Sequence, residues 1–184
     1  MRVFNLILNS ENRGKPTQSG VIRRATPEDI PSLISLERIC ATAAHWTEQQ
    51  YEKMFQPGAD LPARLVLVAE GVREGFFIPT SATNSEATSY ILGFLVARHL
   101  PPEWELENIV VAPEARRAGL GRQLLGDLLT HAREAKQSVF LEVRQSNAVA
   151  RFLYEKAGFQ LTGHRKSYYT NPQEDAVLYR WVAD

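Results

Sequence analysis

The sequence is poor in the residues that build disulfide frameworks and metal sites. Its 184 residues include one cysteine, Cys40, and four histidines, and they contain no CxxC, HExxH or paired Cys/His spacing. One cysteine excludes an internal disulfide, and the missing spacings leave no candidate metal ligands. The chain is therefore expected to bind no metal and to be cytoplasmic.

The sequence also lacks an excess of one charge and a long apolar run. Its 21 Lys and Arg residues balance 21 Asp and Glu residues. This balance gives no electrostatic footprint for nucleic acid or for an anionic membrane, although a local basic loop can still bind phosphate. No apolar run approaches the ~20 residues that span a bilayer. We therefore expect no nucleic-acid partner and no membrane partner.

Length and composition predict one globular domain with a core large enough to fold without crosslinks, because 44% of the 184 residues are hydrophobic. Residues 1–20 are expected to form a flexible N-terminal arm, and residues 21–184 the single domain. Residues 71–89, rich in Gly, Ser and Thr, are too many for an ordinary hairpin loop. They are expected to be a flexible insertion.

The central part of the chain reads as a strand, a polar loop and an amphipathic helix. The strand ends at Ile109, Val110 and Val111. The helix is predicted from apolar residues that repeat with a period of 3.6. These residues are Leu120, Leu124, Leu125, Leu128, Leu129 and Ala132.

The start of this helix has the features of an anion-binding loop. Unpaired N–H groups and the helix dipole favour a negative ligand there, and glycines let phosphate oxygens approach the backbone. The residues expected to take part are Arg116, Arg117, Ala118, Gly119, Leu120, Gly121 and Arg122. The alternative interpretation is an ordinary strand-to-helix turn with solvated arginines.

The rest of the chain predicts further strands and helices. Strands are expected at 21–24, 64–70, 90–97, 104–111, 138–143, 160–166 and 175–182, with the second and third paired as a hairpin. A helix should run from a cap at Thr26 to about Ala43, and a short one should begin after Thr47. Ser146 is expected to cap a last helix that ends before Gly158, and residues 168–174 should form a turn.

A dinucleotide-binding loop is a competing interpretation of the central stretch. Gly119-x-Gly121 opens a helix, and Glu142 lies near the end of the next strand. Against this interpretation, Leu124 occupies the third glycine position and the loop is longer than the tight dinucleotide turn. A Walker loop is excluded because no Gly-Lys-Ser/Thr follows.

Two motifs in order resemble a known family. Arg116-x-x-Gly119-x-Gly121 precedes the Leu-rich helix, and Asn147-x-x-Ala150-x-x-x-Tyr154-x-x-x-Gly158-Phe159 follows it. Together they resemble the acetyl-CoA-binding core of the GNAT superfamily of N-acetyltransferases. The resemblance implies an α/β (α+β) fold with a mixed, mostly antiparallel sheet flanked by helices.

Further motifs resemble the RimI-type branch, the ribosomal-protein-alanine N-acetyltransferases. They are Leu141-Glu142-Val143-Arg144-x-Ser146-Asn147, Tyr168-Tyr169 and Glu174-Asp175-Ala176. The chain departs from that branch at His45, where proline is usual before Trp46, and in the length of the 71–89 insertion. Both departures bear on the acceptor.

The resemblance implies acetyl-CoA as donor, with its pyrophosphate at the glycine loop and its pantetheine arm along residues 109–111 and Asn147. A strand amide near Val110 would polarise the thioester carbonyl. Glu142 is the expected general base, because burial raises the pKa of a carboxyl group towards the useful range. Tyr154, two helical turns after Asn147, is the expected general acid.

The acceptor side is expected to include Trp46, Glu107, Tyr168 and Tyr169. Glu105 and Glu107 share a strand face with Ile109 and are the alternative bases. The predicted reaction is acetyl transfer to the N-terminal α-amine of a protein, with an N-terminal alanine of a ribosomal protein implied by the branch. The open alternatives are another amine, such as lysine or a small molecule, and a non-catalytic acetyl-CoA sensor.

Overall fold

Seven strands form one sheet in the computed structural model, which describes residues 21–40, 43–56, 63–72 and 89–183. The strands are β1 (Val21–Arg24), β2 (Arg64–Val72), β3 (Ser89–Leu100), β4 (Glu103–Val111), β5 (Ser138–Arg144), β6 (Gln160–Thr170) and β7 (Gln173–Trp181). The helices are α1 (Ile30–Arg38), α2 (Glu48–Phe55), α3 (Leu120–Glu134) and α4 (Ala148–Lys156). The predicted arm, residues 1–20, lies outside the described residues.

The sheet has the order β1-β2-β3-β4-β5-β7-β6, and only the β4–β5 pair is parallel in the described chain. The expected mixed, mostly antiparallel α/β fold is therefore confirmed. The predicted β2–β3 hairpin is confirmed too, and its pairing continues to Val72 and Ser89. Both ends of the predicted 71–89 insertion thus belong to strands, and residues 73–88 lie outside the described part.

Helix α3 supplies much of the core. Its six predicted apolar residues are all buried, at 7% exposure or less, and the helix packs against β2, β3, β4 and β5. Full burial of one leucine side chain stabilises the fold by about 1.5–3 kcal/mol, so this face fixes the helix on the sheet. Among the described residues, no helix combines the length and the apolar character that crossing a membrane requires.

The first helix is shorter than predicted. A 3-10 turn at Pro27–Asp29 precedes α1, and α1 ends at Arg38 rather than near Ala43. Beyond it, Cys40 N–H donates to the Glu37 carbonyl over three residues, a spacing that tightens the chain into a turn. Further along, the Trp46 N–H donates to the Glu37 carboxylate at 2.8 Å.

The caps of the other helices are only partly as predicted. Thr47 caps α2 through the Gln50 N–H, as expected. The predicted cap of α4 at Ser146 is wrong, because Asn147 Oδ1 accepts from the Ala150 N–H at 3.1 Å. The Ser146 N–H instead donates to the Glu174 carboxylate. Gly158 ends α4 with a φ of 93°, the left-handed conformation expected there.

The predicted turn at residues 168–174 is also wrong. Strand β6 continues to Thr170, and the tight turn before β7 lies at Asn171 and Pro172. Tyr168 and Tyr169 are therefore strand residues. The strand was missed because its register is irregular at this point.

Candidate active site

A cleft opens where β4 and β5 part. The two strands pair only between Glu103–Leu106 and Ser138–Leu141. Further along, β4 remains paired with β3 and β5 with β7. The edge of β4 that faces β5 therefore pairs with no described strand from Glu107 to Val111, although the Val111 carbonyl accepts from Arg116 and Cys40 side chains.

The alternation of an antiparallel ladder decides which amides face this edge. The Ala112 N–H donates to the Leu92 carbonyl of β3 at 2.8 Å. Two residues earlier, Val110 pairs with Phe94 and so also turns its polar groups towards β3. The amides of Ile109 and Val111 face the open edge. The polarising amide near Val110 stays a prediction, and Ile109 and Val111 are the neighbours whose amides face the open edge.

The loop after β4 leads into the start of α3, where the sequence predicts an anion cradle. Gly119 is the N-terminal cap residue of α3 with a φ of 86°, and Arg117 also has a positive φ, 66°. A side chain at Gly119 would be strained by this conformation. The next N–H groups, from Leu120 to Arg122, belong to the first helical turn and have no intrahelical acceptor. An anion is the ligand that this geometry favours.

Arg116 lies differently from its predicted place. Its Nε donates to the Val111 carbonyl at 3.3 Å, and its Nη2 lies 3.7 Å from Cys40 Sγ. The guanidinium therefore connects the end of β4 to Cys40, two residues after α1.

The cleft between β4 and β5 has a volume of about 430 Å³ and collects most of the predicted catalytic and acceptor residues. Its lining includes Glu105, Glu107, Ile109, Glu142, Asn147, Tyr154, Tyr168 and Tyr169. The glycine loop and Trp46 are not part of this lining. The loop after α1 contributes Ala43 and Ala44 instead, and Trp46 packs edge to face on Tyr51 at 5.7 Å.

Glu142 differs from the unpaired, desolvated acid that the sequence suggests. Its Oε1 accepts from Arg165 Nη1 at 2.5 Å, and its side chain is 20% exposed. The Arg165 guanidinium in turn lies 4.5 Å from the centre of the Tyr168 ring. A hydrogen bond to Glu142 is the largest cause that raises the pKa of Tyr168. Glu142 is thus an ion-paired carboxylate at the cleft wall.

The two alternative bases are held more tightly by arginines. Glu107 accepts from Arg64 Nε at 2.8 Å, and Arg98 Nη2 contacts Glu105 at 2.5 Å. Arg98 Nε also lies 3.3 Å from Glu107. Two guanidinium groups therefore neutralise this pair of carboxylates, whereas the guanidinium that pairs with Glu142 belongs to a side chain that is 53% exposed.

Tyr154 projects from α4 into the inner end of the cleft. The residue is 5% exposed, and burial is the largest cause that raises its pKa above the ordinary value of 10.0. The phenol therefore keeps its proton at neutral pH. A protonated hydroxyl in a cleft is what donation to a leaving group requires.

A bulge in β6 brings both neighbouring tyrosines to the cleft. Arg165 pairs with Ala176 and Tyr169 with Glu174, so β6 carries two extra residues between these positions. Ser167 takes a φ of 51° there, and its N–H donates to Asp175 at 2.7 Å. Consecutive residues of a regular strand face opposite ways. The bulge re-aims them so that Tyr168 and Tyr169 both line the cleft.

Sequence reasoning missed Arg165, Glu37 and Asn108. Arg165 and Glu142 lie on β6 and β5, the two neighbours of β7, so their contact depends on a register that no local pattern reveals. Glu37 is 1% exposed and bonds to Asn108 Nδ2 at 2.8 Å. The only available signal was an acidic residue on the apolar face of the predicted first helix.

Comparison with known proteins gives a consistent picture. Residues 34–159 match the family model described as the acetyltransferase (GNAT) family. The chain is 42% identical over 92 residues to the [ribosomal protein bS18]-alanine N-acetyltransferase of Haemophilus influenzae, covering 48% of this chain and 62% of that protein. It is 41% identical over 85 residues to the N-alpha-acetyltransferase RimI of Mycobacterium tuberculosis, covering 46% and 52%. The chain thus spans less than two thirds of these relatives.

Solved structures share the fold over nearly the whole chain. The ribosomal-protein-S18-alanine N-acetyltransferase from Escherichia coli matches with a TM-score of 0.66 and 26% identity, covering 90% of this chain and 95% of that one. Arabidopsis thaliana NAA60 in complex with acetyl-CoA matches with a TM-score of 0.69, covering 90% and 99%. At 14% identity, this second match bears on the fold alone.

Proposed function

Because this chain belongs to the acetyltransferase (GNAT) family, we propose that it transfers the acetyl group of acetyl-CoA to the N-terminal α-amine of a protein. The acceptor we propose is an N-terminal alanine of a ribosomal protein, the substrate that the names of the Haemophilus and Escherichia relatives state for those proteins. The observation that carries the proposal is the cleft that brings Glu142 and Tyr154 together beside the open edge of β4. A ribosomal acceptor also implies a cytoplasmic location.

The donor site extends along the open edge to the cradle. The pyrophosphate of acetyl-CoA binds at the N–H groups of Arg117 to Arg122, and the amides of the pantetheine arm bond along Ile109 to Val111. Asn147 uses its side-chain oxygen to cap α4. Its side-chain NH₂ is the group that can donate to a pantetheine carbonyl.

The chemistry follows from what each side chain can do. The Glu142 carboxylate takes a proton from the amine, directly or through one water, and the amine nitrogen attacks the thioester carbon. The N–C bond forms and the C–S bond breaks, while the amide of Ile109 or Val111 polarises the carbonyl oxygen. Tyr154 gives its proton to the leaving sulfur, which yields the acetylated N-terminus and free CoA.

The acceptor enters from the side of Tyr168 and Tyr169, opposite the cradle. The two rings meet edge to face at 5.1 Å, and Ala43 and Ala44 also line the cleft. This leaves a slot suited to a small first side chain. Trp46 lies outside the cleft lining, and its ring packs on Tyr51 and supports the loop that carries Ala43 and Ala44.

The test is a peptide-array acetylation assay with thiol release as a second readout. Glu142→Gln and Tyr154→Phe should keep acetyl-CoA binding and lower turnover about ten- to a thousandfold, the range of one proton-transfer group. Glu103→Gln and Tyr179→Phe are the matched controls. Glu103 pairs with Arg180, and Tyr179 is a buried phenol bonded to Glu155, both outside the cleft lining.

Absence of thiol release with every peptide, together with intact acetyl-CoA binding, would favour a sensor. Wild-type turnover in both catalytic variants would instead remove Glu142 and Tyr154 from the mechanism.

A further inference from the structure

One buried carboxylate has no part in the proposed chemistry. Glu37 on α1 is 1% exposed. Its Oε1 accepts from Asn108 Nδ2 and its Oε2 from the Trp46 N–H, both at 2.8 Å. Neither of these two donors, both in the described chain, is a lysine or an arginine. A buried carboxyl group needs hydrogen-bond partners in place of water, and these two bonds supply them.

The two hydrogen bonds join structures that both border the cleft. Asn108 is 8% exposed and lies on β4 between Glu107 and Ile109, in the cleft lining. Trp46 follows Ala43 and Ala44, which line the cleft from the loop after α1. The two hydrogen bonds of Glu37 therefore connect that loop to β4 and fix the distance between them.

The loop also has a rigid backing. The Trp46 ring packs on Tyr51, and the Tyr51 ring packs edge to face on Phe94 of β3 at 6.3 Å. Tyr51 is 0% exposed, and burial is the largest cause that raises the pKa of its hydroxyl, followed by the neighbouring Glu37 carboxylate. The loop is thus held by this aromatic support, by the Ala43 N–H bond to the Cys40 carbonyl, and by the two bonds of Glu37.

We infer that Glu37 is a positioning residue that sets the width of the acceptor slot. Its bonds to Asn108 and Trp46 keep Ala43 and Ala44 close to the edge of β4, so that only a small first side chain of the acceptor fits. This inference rests on the proposed function and adds to it a determinant of specificity that lies outside the slot itself.

Two variants separate the hydrogen bonds from the shape of the side chain. Glu37→Met keeps the volume and loses both bonds. Glu37→Gln keeps both, because its oxygen accepts from Trp46 N–H while its NH₂ donates to an Asn108 amide rotated by half a turn. Asp29→Asn is the control, since Asp29 is another buried carboxylate near α1, bonded to Arg23 and outside the cleft. If Glu37→Met does not fold, Asn108→Ala, which removes one bond, replaces it.

The first readout is hydrogen exchange of the Trp46 amide by NMR, which requires no activity. Exchange should accelerate at least about tenfold in Glu37→Met and stay within about twofold of wild type in Glu37→Gln. The second readout is the ratio of kcat/KM for peptides that begin with alanine and with leucine. That ratio should fall at least about fivefold in Glu37→Met only, with the KM for acetyl-CoA unchanged.

Unchanged exchange in Glu37→Met overturns the inference, and so does accelerated exchange with an unchanged selectivity ratio. A fall of the ratio in Asp29→Asn as large as in Glu37→Met also overturns it, because loss of stability would then explain the effect. If wild type acetylates no N-terminus, the proposed function fails, and the exchange of the Trp46 amide alone decides whether Glu37 positions the loop.

Discussion

The guanidinium of Arg165 and the carboxylate of Glu142 form a 2.5 Å ion pair across the sheet. Arg165 pairs with Ala176 and Glu142 with Leu178, and these partners lie on the same face of β7. The pair therefore holds the proposed base at the mouth of the cleft, with the Tyr168 ring beneath the guanidinium. Any loss of this contact should affect the base and the acceptor wall together.

Arg165→Gln should lower kcat/KM about tenfold, because the Glu142 side chain loses the partner that fixes its orientation. The kcat/KM of Arg165→Lys should lie between those of this variant and wild type. A lysine keeps the charge but loses the flat guanidinium stacked on Tyr168. Steady-state kinetics with an alanine-starting peptide measure the effect. Arg24→Gln on β1 is the control, and an equal loss there would argue against a specific role.

Substitution by alanine should change the free energy of unfolding in opposite directions at Gly119, the cap residue before α3, and at Gly126 within α3. Gly119→Ala should lose about 1–2 kcal/mol of unfolding free energy, because φ is 86° at this residue. Gly126→Ala should gain about 0.5–1 kcal/mol, because Gly126 is helical and nothing lies within 4 Å of an added Cβ. Denaturant unfolding measures both.

Substitutions at the same two glycines test the cradle. Gly119→Val should weaken CoA binding by at least ~1 kcal/mol in calorimetry, whereas Gly126→Ala should bind as wild type. If wild type, Gly119→Val and Gly126→Ala bind CoA with equal affinity, the pyrophosphate does not bind at this loop.

A structural feature of this site can be predicted from the sequence when the residues that determine it lie close together in the chain. The buried face of α3 and the cap at Thr47 follow from spacings within a few residues, and both are confirmed. The cap of α4 was predicted one residue early because Ser and Asn cap helices equally well. What decides between them is Glu174, distant in sequence, which occupies the Ser146 N–H.

The features that were missed depend on register. Tyr168 and Tyr169 were predicted in a turn because the two-residue bulge of β6 has no signature in the residue types alone. The pairing of Glu142 with Arg165 and of Glu105 with Arg98 requires the order of strands in the sheet. The residue types of the cleft are therefore predictable, whereas their charge partners are not.

Stability should fall at high pH because of Tyr154. Burial raises its pKa in the folded protein above the ordinary 10.0, so the unfolded chain releases this proton first as the pH rises. The stabilisation is complete below about pH 10 and is lost above it. Tyr154→Phe should flatten the fall in unfolding free energy between pH 9 and pH 11. Tyr90→Phe on β3, outside the cleft lining, is the control, and an equal flattening there would contradict the assignment.

The acceptor should be a free α-amine rather than a lysine side chain, and the deprotonation equilibria give a magnitude. An α-amine has a pKa of about 8, so roughly one molecule in ten is neutral at pH 7, whereas lysine at about 10.4 leaves about one in 2,500. A single carboxylate such as Glu142 therefore has about 3 kcal/mol less to supply for an N-terminus. The other carboxylates of the cleft lining in the described chain, Glu105 and Glu107, form ion pairs with Arg98 and Arg64. Neither is therefore expected to act as a second base that offsets this difference.

Mass spectrometry of one peptide with an N-terminal alanine and an internal lysine tests this expectation. The acetyl group should lie on the alanine nitrogen, and the same peptide with a blocked N-terminus should react at least about a hundredfold more slowly, given the difference in neutral amine. The acceptor slot proposed between Tyr168, Tyr169 and the Ala43–Ala44 wall acts in the same direction, because we expect it to admit only a small residue at a chain end. Acetyl found mainly on the lysine would mean that the base works on a more basic amine than this cleft favours.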